Sequence, residues 1–354
     1  MKKFLCMLIA MLLCIVNITS IKAISYLKGD VNYDGHVDIS DLVYLQQFLN
    51  GNIYADGATA ERLDVNCDYV INEYDKSLLS SIIMGSISTY TIESSNIDSL
   101  PAQESRTYKK YSIITGQTTE YTLDPLGNIP IRTIIGNNDR TLENGLAGVV
   151  KINGGTGFLV DNHTILTAAH VIYNANSGYI NNINITFYDN ANTPANPPSR
   201  NVIPIAFHIP KQYVLNPASS ASIDYDYAII TIQPFFNDQL NDCINFNIGV
   251  MRNGMSTNKD IYVTGFGNFG SNYGNIKTTG TGHLISGINF DTEIMYDTDT
   301  ISGDSGAPVY VVNPDGSKTV IAINAFESGT YNEGVRITNN IMQFIFFNDY
   351  LRNN

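Results

Sequence analysis

From Ile134 onward, short apolar runs alternate with clusters of Gly, Asn and Pro: "AGVVKI", "TGFLV", "HTILTAAHVI", "NITFY", "YAIITI", "IYVTGFG", "APVYVV" and "TVIAINAF". Runs this short between turn formers are strands, and a long series of them predicts an all-β barrel or sandwich. The segment "TNNIMQFIFFNDYL" departs from that pattern. Its apolar residues recur at helical spacing between asparagine caps, which predicts a packing helix rather than a membrane anchor.

Upstream the period changes. "LVYLQQFLNG" and "KSLLSSIIMG" carry apolar residues at helical spacing and end at Gly51 and Gly85, predicting two short helices. Each follows an acidic loop, and the loop-helix unit recurs after 34 residues, from Asp30 to Asp64. Between this repeat and the strands, residues 87–132 are rich in Ser and Thr at first, with weak periodicity throughout. They read as a linker or propeptide.

The extreme N-terminus reads as a secretory signal over residues 1–23. Lys2 and Lys3 precede an apolar run from Phe4 to Val16, and Ala23 offers a cleavage point. That run is short for a membrane span, and Leu13 before Cys14 argues against a lipid-anchored cysteine. The expected organisation is a signal over 1–23, a repeat domain over 24–86, a linker or propeptide over 87–132 and a β domain over 133–354.

Composition adds two constraints. A net charge of −13, with no basic stripe, excludes nucleic acid as a natural partner. Cys6 and Cys14 leave with the signal, so Cys67 and Cys243 remain, far apart in the chain. No disulfide framework is implied, and an exported protein without one relies on its core and on bound ions.

The repeat explains part of the acidity. "GDVNYDGHVDISD" aligns with "LDVNCDYVINEYD". Asp30, Asn32, Asp34, Asp38 and Asp41 match Asp64, Asn66, Asp68, Asn72 and Asp75, at positions 1, 3, 5, 9 and 12 of a calcium loop. His36 and Val70, at position 7, would give backbone carbonyls. Hard cations take several oxygens at once, and alternate residues of a tightly curled loop can supply them. Tyr69 stands where the first copy has Gly35 for the sharp turn, and the last ligand is Asp rather than the Glu of an EF-hand.

In the β region three stretches carry possible chemistry. "TAAH" sets His170 just after an apolar strand, "DYDYAIITI" sets Asp226 at the mouth of another, and "SGDSGAP" holds Ser305 among glycines. Asp224 competes with Asp226. The order His, Asp, Ser is a known triad order. Ser305 would attack a carbonyl carbon, His170 would carry the proton, and Asp226 would orient the imidazole. The N–H groups of Gly303 and Ser305 would face the developing oxyanion.

The loop-helix repeat, with one helix per loop and Asp at position 12, resembles the type I dockerin domain over about 60 residues. The resemblance implies a fold that forms on two Ca2+ ions and docks onto a cohesin module of a cellulosome scaffoldin, with positions 10 and 11 (Ile39-Ser40 and Glu73-Tyr74) helping to select it. "TAAH", "DYAI" and "GDSGAP" resemble the trypsin-like serine proteases. That implies a chymotrypsin-type double six-stranded β-barrel, and a secreted endopeptidase acting on polypeptides through an acyl-enzyme with no catalytic cofactor. "TIIGNNDRTLENGLAGVVKINGG" is similar to the mature N-terminus of bacterial glutamyl endopeptidases. In that family a Thr and a His hold the glutamate preceding the cut bond. Thr300 matches the first, whereas Asn324 stands in place of the second and brings no positive charge.

The same resemblance implies a free N-terminus near Thr133 or Ile134, and cleavage there would separate the protease from its dockerin. Either the enzyme works tethered, or cutting after Arg132 or Thr133 releases it. Two other functional readings stand beside the protease. A degenerate protease fold would serve as a non-catalytic binding module, and an EF-hand sensor would couple calcium to activity.

Overall fold

Antiparallel pairing gathers the apolar runs into two large sheets. The computed structural model describes residues 24–94, 100–125, 148–161, 163–180, 182–188, 199–217, 220–233, 246–255, 259–267, 277–285, 291–327 and 331–348. The signal segment, Cys243 and the expected mature start at Thr133 and Ile134 lie outside these residues.

The first sheet has nine strands among the described residues. Its centre is formed by Val149–Ile152, Gly155–Leu159, Thr164–Thr167, Ala228–Ile232 and Pro204–Pro210, in that spatial order. Phe158, Ile165, Leu166 and Ile230 are fully buried in its core. Each such side chain contributes roughly 1.5–3 kcal/mol on leaving water.

The second sheet runs Thr278–His283, Asp260–Gly265, Pro308–Val312, Lys318–Glu327, Asn332–Arg336, Glu293–Tyr296. Its edges meet, because Leu284 bridges to Tyr296 and Ile285 N donates to Met295 O at 2.9 Å. That sheet therefore closes on itself around Val263, Val309, Val311 and Ile321.

The helix expected near the C-terminus runs over Asn339–Phe347 and buries Ile341, Met342, Phe344 and Ile345. Thr338, not an asparagine, occupies its N-cap, while Asn348 is its C-cap and donates from Nδ2 to Phe344 O at 2.8 Å.

Residues 87–132 contain more structure than a linker. Arg106–Ser112 and Thr118–Leu123 form a hairpin, and its first strand pairs with Pro204–Pro210 at the edge of the first sheet. The stretch is legible as strand only through Tyr108 and Leu123, which point into the core. Arg106 is buried as well, and Tyr111 and Tyr121 pack partly against the core. The remaining side chains are polar and partly or fully exposed, so periodicity is weak.

In the N-terminal unit, helices run over Ile39–Leu49 and Glu73–Ile83. Asp38 and Asn72 are their N-caps, and Asp41 and Asp75 reach back to the cap N–H groups, so the loop residues also close a capping box at each helix start. A further helix, Gly57–Leu63, capped by Asp56, fills the space between the repeats. Ile24–Leu27 pairs with Thr91–Ser94 and ties the ends of the unit together.

This unit packs on the second sheet. Val70–Ile71 pairs antiparallel with Val250–Met251, and Arg252 N donates to Tyr69 O at 2.8 Å.

Candidate active site

Two neighbouring strands set the histidine and the carboxylate at one end of the first sheet. Ala228 pairs with Thr167, so the residues just before Ala228 and just after Thr167 emerge at the same edge. His170 sits on the short helix Ala169–Ile172, and Asp226 follows the 3-10 turn Ser220–Tyr225. The result is a two-point grip. Asp226 Oδ2 lies 2.6 Å from His170 Nδ1, and Asp226 Oδ1 accepts from the His170 backbone N–H at 2.9 Å.

Asp226 is wholly buried, whereas the His170 side chain keeps 33% of its surface open. Burial alone would lower the imidazole pKa; the Asp226 charge and hydrogen bond outweigh it and leave it above the ordinary histidine value. Asp224 takes no part in this pair. Its carboxylate accepts from Thr292 Oγ1 and faces Glu293, whose pKa is pushed up to about 7 by burial and then by Asp224 and Glu333.

Ser305 arrives from the second sheet, on the loop before Pro308–Val312. Thr156 N donates to Ser305 O at 2.8 Å, and Thr156 Oγ1 donates to Gly303 O at 2.8 Å. Thr167 Oγ1 donates to Thr156 O at 2.7 Å. These two threonines clamp the serine loop against the strand ends that lead to His170. A Cβ on Gly306 would lie 3.0 Å from Ala168 N and closer still to Thr156 O, and Gly306 has φ 84°. Only glycine fits there. Gly303, at φ 107°, is held against Phe266 O. Sequence reading missed Thr156 and Thr167, because a threonine inside an apolar strand carries no local mark of its role.

Asp304, next to Ser305, is buried. Its Oδ2 accepts from Ile301 N at 3.0 Å, its Oδ1 has no hydrogen-bond partner among the described residues, and burial raises its pKa.

In the N-terminal unit each loop buries two acids, Asp30 with Asp41 and Asp64 with Asp75. Asp30 accepts from Asp34 N and Gly35 N, and Asp64 from Asp68 N and Tyr69 N. The two copies thus curl alike although Tyr69 replaces glycine; Tyr69 takes φ 70° where Gly35 takes 89°. Burial first, then the Asp30 charge, raises the Asp41 pKa; burial and then Asp64 raise that of Asp75 well above its ordinary value. Acids forced together in this way, beside Asn32 or Asn66 and backbone carbonyls, suit a hard divalent cation. Among the described residues, no three His, Cys, Asp or Glu side chains gather as a ligand set. Any site in these loops therefore depends on amide and backbone oxygens as well.

Residues 155–323 match the trypsin-like peptidase domain, and residues 28–84 match the dockerin type I domain. The chain joins a dockerin type I domain to a trypsin-like peptidase domain. Two distant relatives carry the names of proteases of different kinds. A protein of Bacillus licheniformis named glutamyl endopeptidase is 27% identical over 233 residues, covering 60% of this chain and 67% of the relative. A Bacillus subtilis protein named extracellular metalloprotease is 26% identical over 196 residues, covering 54% of this chain. The chain spans 57% of the length of that second relative.

Within the peptidase domain, Asn324 is nearly buried. Its Oδ1 accepts from Tyr296 OH at 2.5 Å and its Nδ2 donates to Asp304 O at 2.9 Å. It therefore braces the serine loop from below. Thr300 is half-buried on the approach to that loop. Within the dockerin domain the second loop already meets cations of the peptidase domain. Arg252 Nη1 lies 2.9 Å from Asp64 Oδ2, and Lys259 Nζ lies 3.4 Å from Asp68 Oδ2. Dockerin type I domains bind calcium. The first loop offers it the buried Asp30 and Asp41 beside Asn32, whereas in the second loop Arg252 already compensates Asp64. His36 is exposed on the first loop, while Val70 is buried in the short strand against Met251.

Proposed function

We propose that the chain is a secreted serine endopeptidase in which His170, Asp226 and Ser305 form a triad where the two large sheets meet, the first enlarged to nine strands by the hairpin Arg106–Ser112/Thr118–Leu123 rather than six as expected. The observation that carries this is the two-point hold of Asp226 on His170, with the Ser305 loop clamped at the same strand ends. Asp226 fixes the proton on Nδ1, which leaves Nε2 to take the proton of Ser305 Oγ as that oxygen attacks the peptide carbonyl. The amine leaves with that proton, and water then releases the acyl group by the reverse transfers. The N–H groups of Gly303 and Ser305 receive the oxyanion.

Thr300 and Asn324 set the preference for the residue preceding the cut bond. Asn324, engaged by Tyr296 and the Asp304 carbonyl, brings no positive charge of its own to a buried glutamate, and such burial is costly without compensation. A polar or mixed preference follows, with glutamate as one member.

In the dockerin domain two Ca2+ ions are held by Asp30, Asn32, Asp34, Asp38 and Asp41, and by Asp64, Asn66, Asp68, Asn72 and Asp75, with His36 and Val70 giving carbonyls. The cations shape the loops for a scaffoldin cohesin, which places the enzyme extracellularly on a cellulosome. The two copies offer unequal faces. Ile39 and Ser40 are exposed, whereas Glu73 and Tyr74 are half-buried and Asn72 Nδ2 donates to Asn313 Oδ1 of the peptidase domain at 3.2 Å. The first copy therefore carries cohesin binding.

A fluorophosphonate probe tests the catalytic reading. Labelling of Ser305, abolished in Ser305→Ala and accompanied by peptide cleavage, is expected; a folded protein that neither labels nor cleaves would overturn it.

A further inference from the structure

The hairpin Arg106–Ser112/Thr118–Leu123 lies on the dockerin side of the expected processing point, yet it is built into the peptidase domain. Tyr108 to Ser112 pair residue by residue with Pro210 to Ala206, and Ile113 N continues the ladder to Ile205 O at 2.9 Å. Without this strand the edge of Pro204–Pro210 would carry a row of unpaired N–H and C=O groups.

Side chains lock the pairing. Tyr108 is fully buried and stacks on Phe344, with ring centroids 4.2 Å apart. Its hydroxyl lies 3.1 Å from Tyr227 OH, which also accepts from Arg106 Nη1 at 3.0 Å. Tyr121 stacks on Phe347, and its hydroxyl sits 3.1 Å from both His208 Nδ1 and Asn348 Oδ1. Gln343 Nε2 donates to Asp124 O at 2.9 Å. Removing the hairpin would open the core over Phe344 and leave the buried Tyr227 hydroxyl without the two partners named here.

We infer that residues 100–125 are a permanent strand pair of the peptidase fold, so that a break anywhere between Pro125 and Gly148 leaves two fragments bound as one particle. The N-terminal fragment carries the dockerin, and its second loop adds a further hold through Val70–Ile71 and Arg252. Processing then activates without releasing. That the nicked enzyme stays on its scaffold rests on the cohesin reading above; the association of the fragments does not.

The test uses the full chain with Ser305→Ala, so that the protein's own activity cannot enter, and with a site for an exogenous sequence-specific protease inserted between Pro125 and Gly148. After cutting, a tag on the N-terminal fragment should retain the C-terminal fragment in native buffer, with or without chelator, and release it only in denaturant. Tyr108→Ala with Tyr121→Ala, checked for intact strand content by circular dichroism before cutting, should weaken retention at least about 100-fold. Separation of the fragments in native buffer would overturn the inference. Separation caused by chelator alone would assign the hold to the dockerin loop and overturn the role of the hairpin. Neither result bears on whether Ser305 is a nucleophile.

Discussion

Asp226 holds His170 twice, once at the ring and once at the backbone, at 2.6 Å and 2.9 Å. The carboxylate therefore fixes both the tautomer and the placement of the imidazole. Asp226→Asn keeps the shape but presents an amide to Nδ1, which favours the wrong tautomer. We expect kcat to fall about 10⁴-fold with thermal stability little changed, as read by peptide hydrolysis beside a melting curve. A loss under tenfold would remove Asp226 from the triad.

Ser305→Ala should lower kcat by about three or more orders of magnitude while the fold is kept. Single-turnover assays with an activated ester check this, and substantial remaining hydrolysis would argue for a different nucleophile.

On the triad reading, the acid limb of activity should report on His170. A general base works only when neutral, and Asp226 holds this imidazole above the ordinary value of 6.5. Activity should therefore fall as pH drops, with a midpoint above that value in a kcat/KM profile. A midpoint below it would contradict the geometry.

His208 makes the opposite contribution, to stability. Burial and then the Lys110 charge push its pKa down to about 3 from an ordinary 6.5. The unfolded chain then binds the proton more readily than the folded one. This site costs nothing well above pH 6.5, and stability is lost as pH falls through 6.5 towards 3, at up to about 1.4 kcal/mol per pH unit. Denaturant titrations at pH 7 and pH 5.5 should show about 1 kcal/mol more loss in the wild type than in His208→Gln. Equal losses would mean that His208 is protonated in the native state.

Arg252 and Asp64 form a buried pair across the two domains, with side chains 5% and 0% exposed. Arg252→Met strands a buried carboxylate and should cost about 3–5 kcal/mol in chelator. Saturating calcium should recover part of this, because the cation compensates the same acid. Adding Asp64→Asn should also recover part of it, and calorimetry of the single and double variants decides the matter.

Much of this protein was legible along the chain, because the signals are local. A calcium loop needs its oxygens at alternate positions within about a dozen residues, so Asp30 to Asp41 and their copies stand out without a fold. The triad candidates were legible through short stretches at strand ends, and the apolar runs announced strands wherever both faces are buried. What the chain hid is long-range. The choice between Asp224 and Asp226 depends on which carboxylate faces His170 once Ala228 pairs with Thr167. The Thr156 and Thr167 clamp exists only when two sheets meet. The hairpin within residues 87–132 has one buried face and one polar face, so its sequence resembles a linker until the edge of Pro204–Pro210 gives it a partner. Local order is written in composition and spacing; which strand edge, or which of two acids, is used depends on contacts far apart in sequence, and tertiary packing alone decides it.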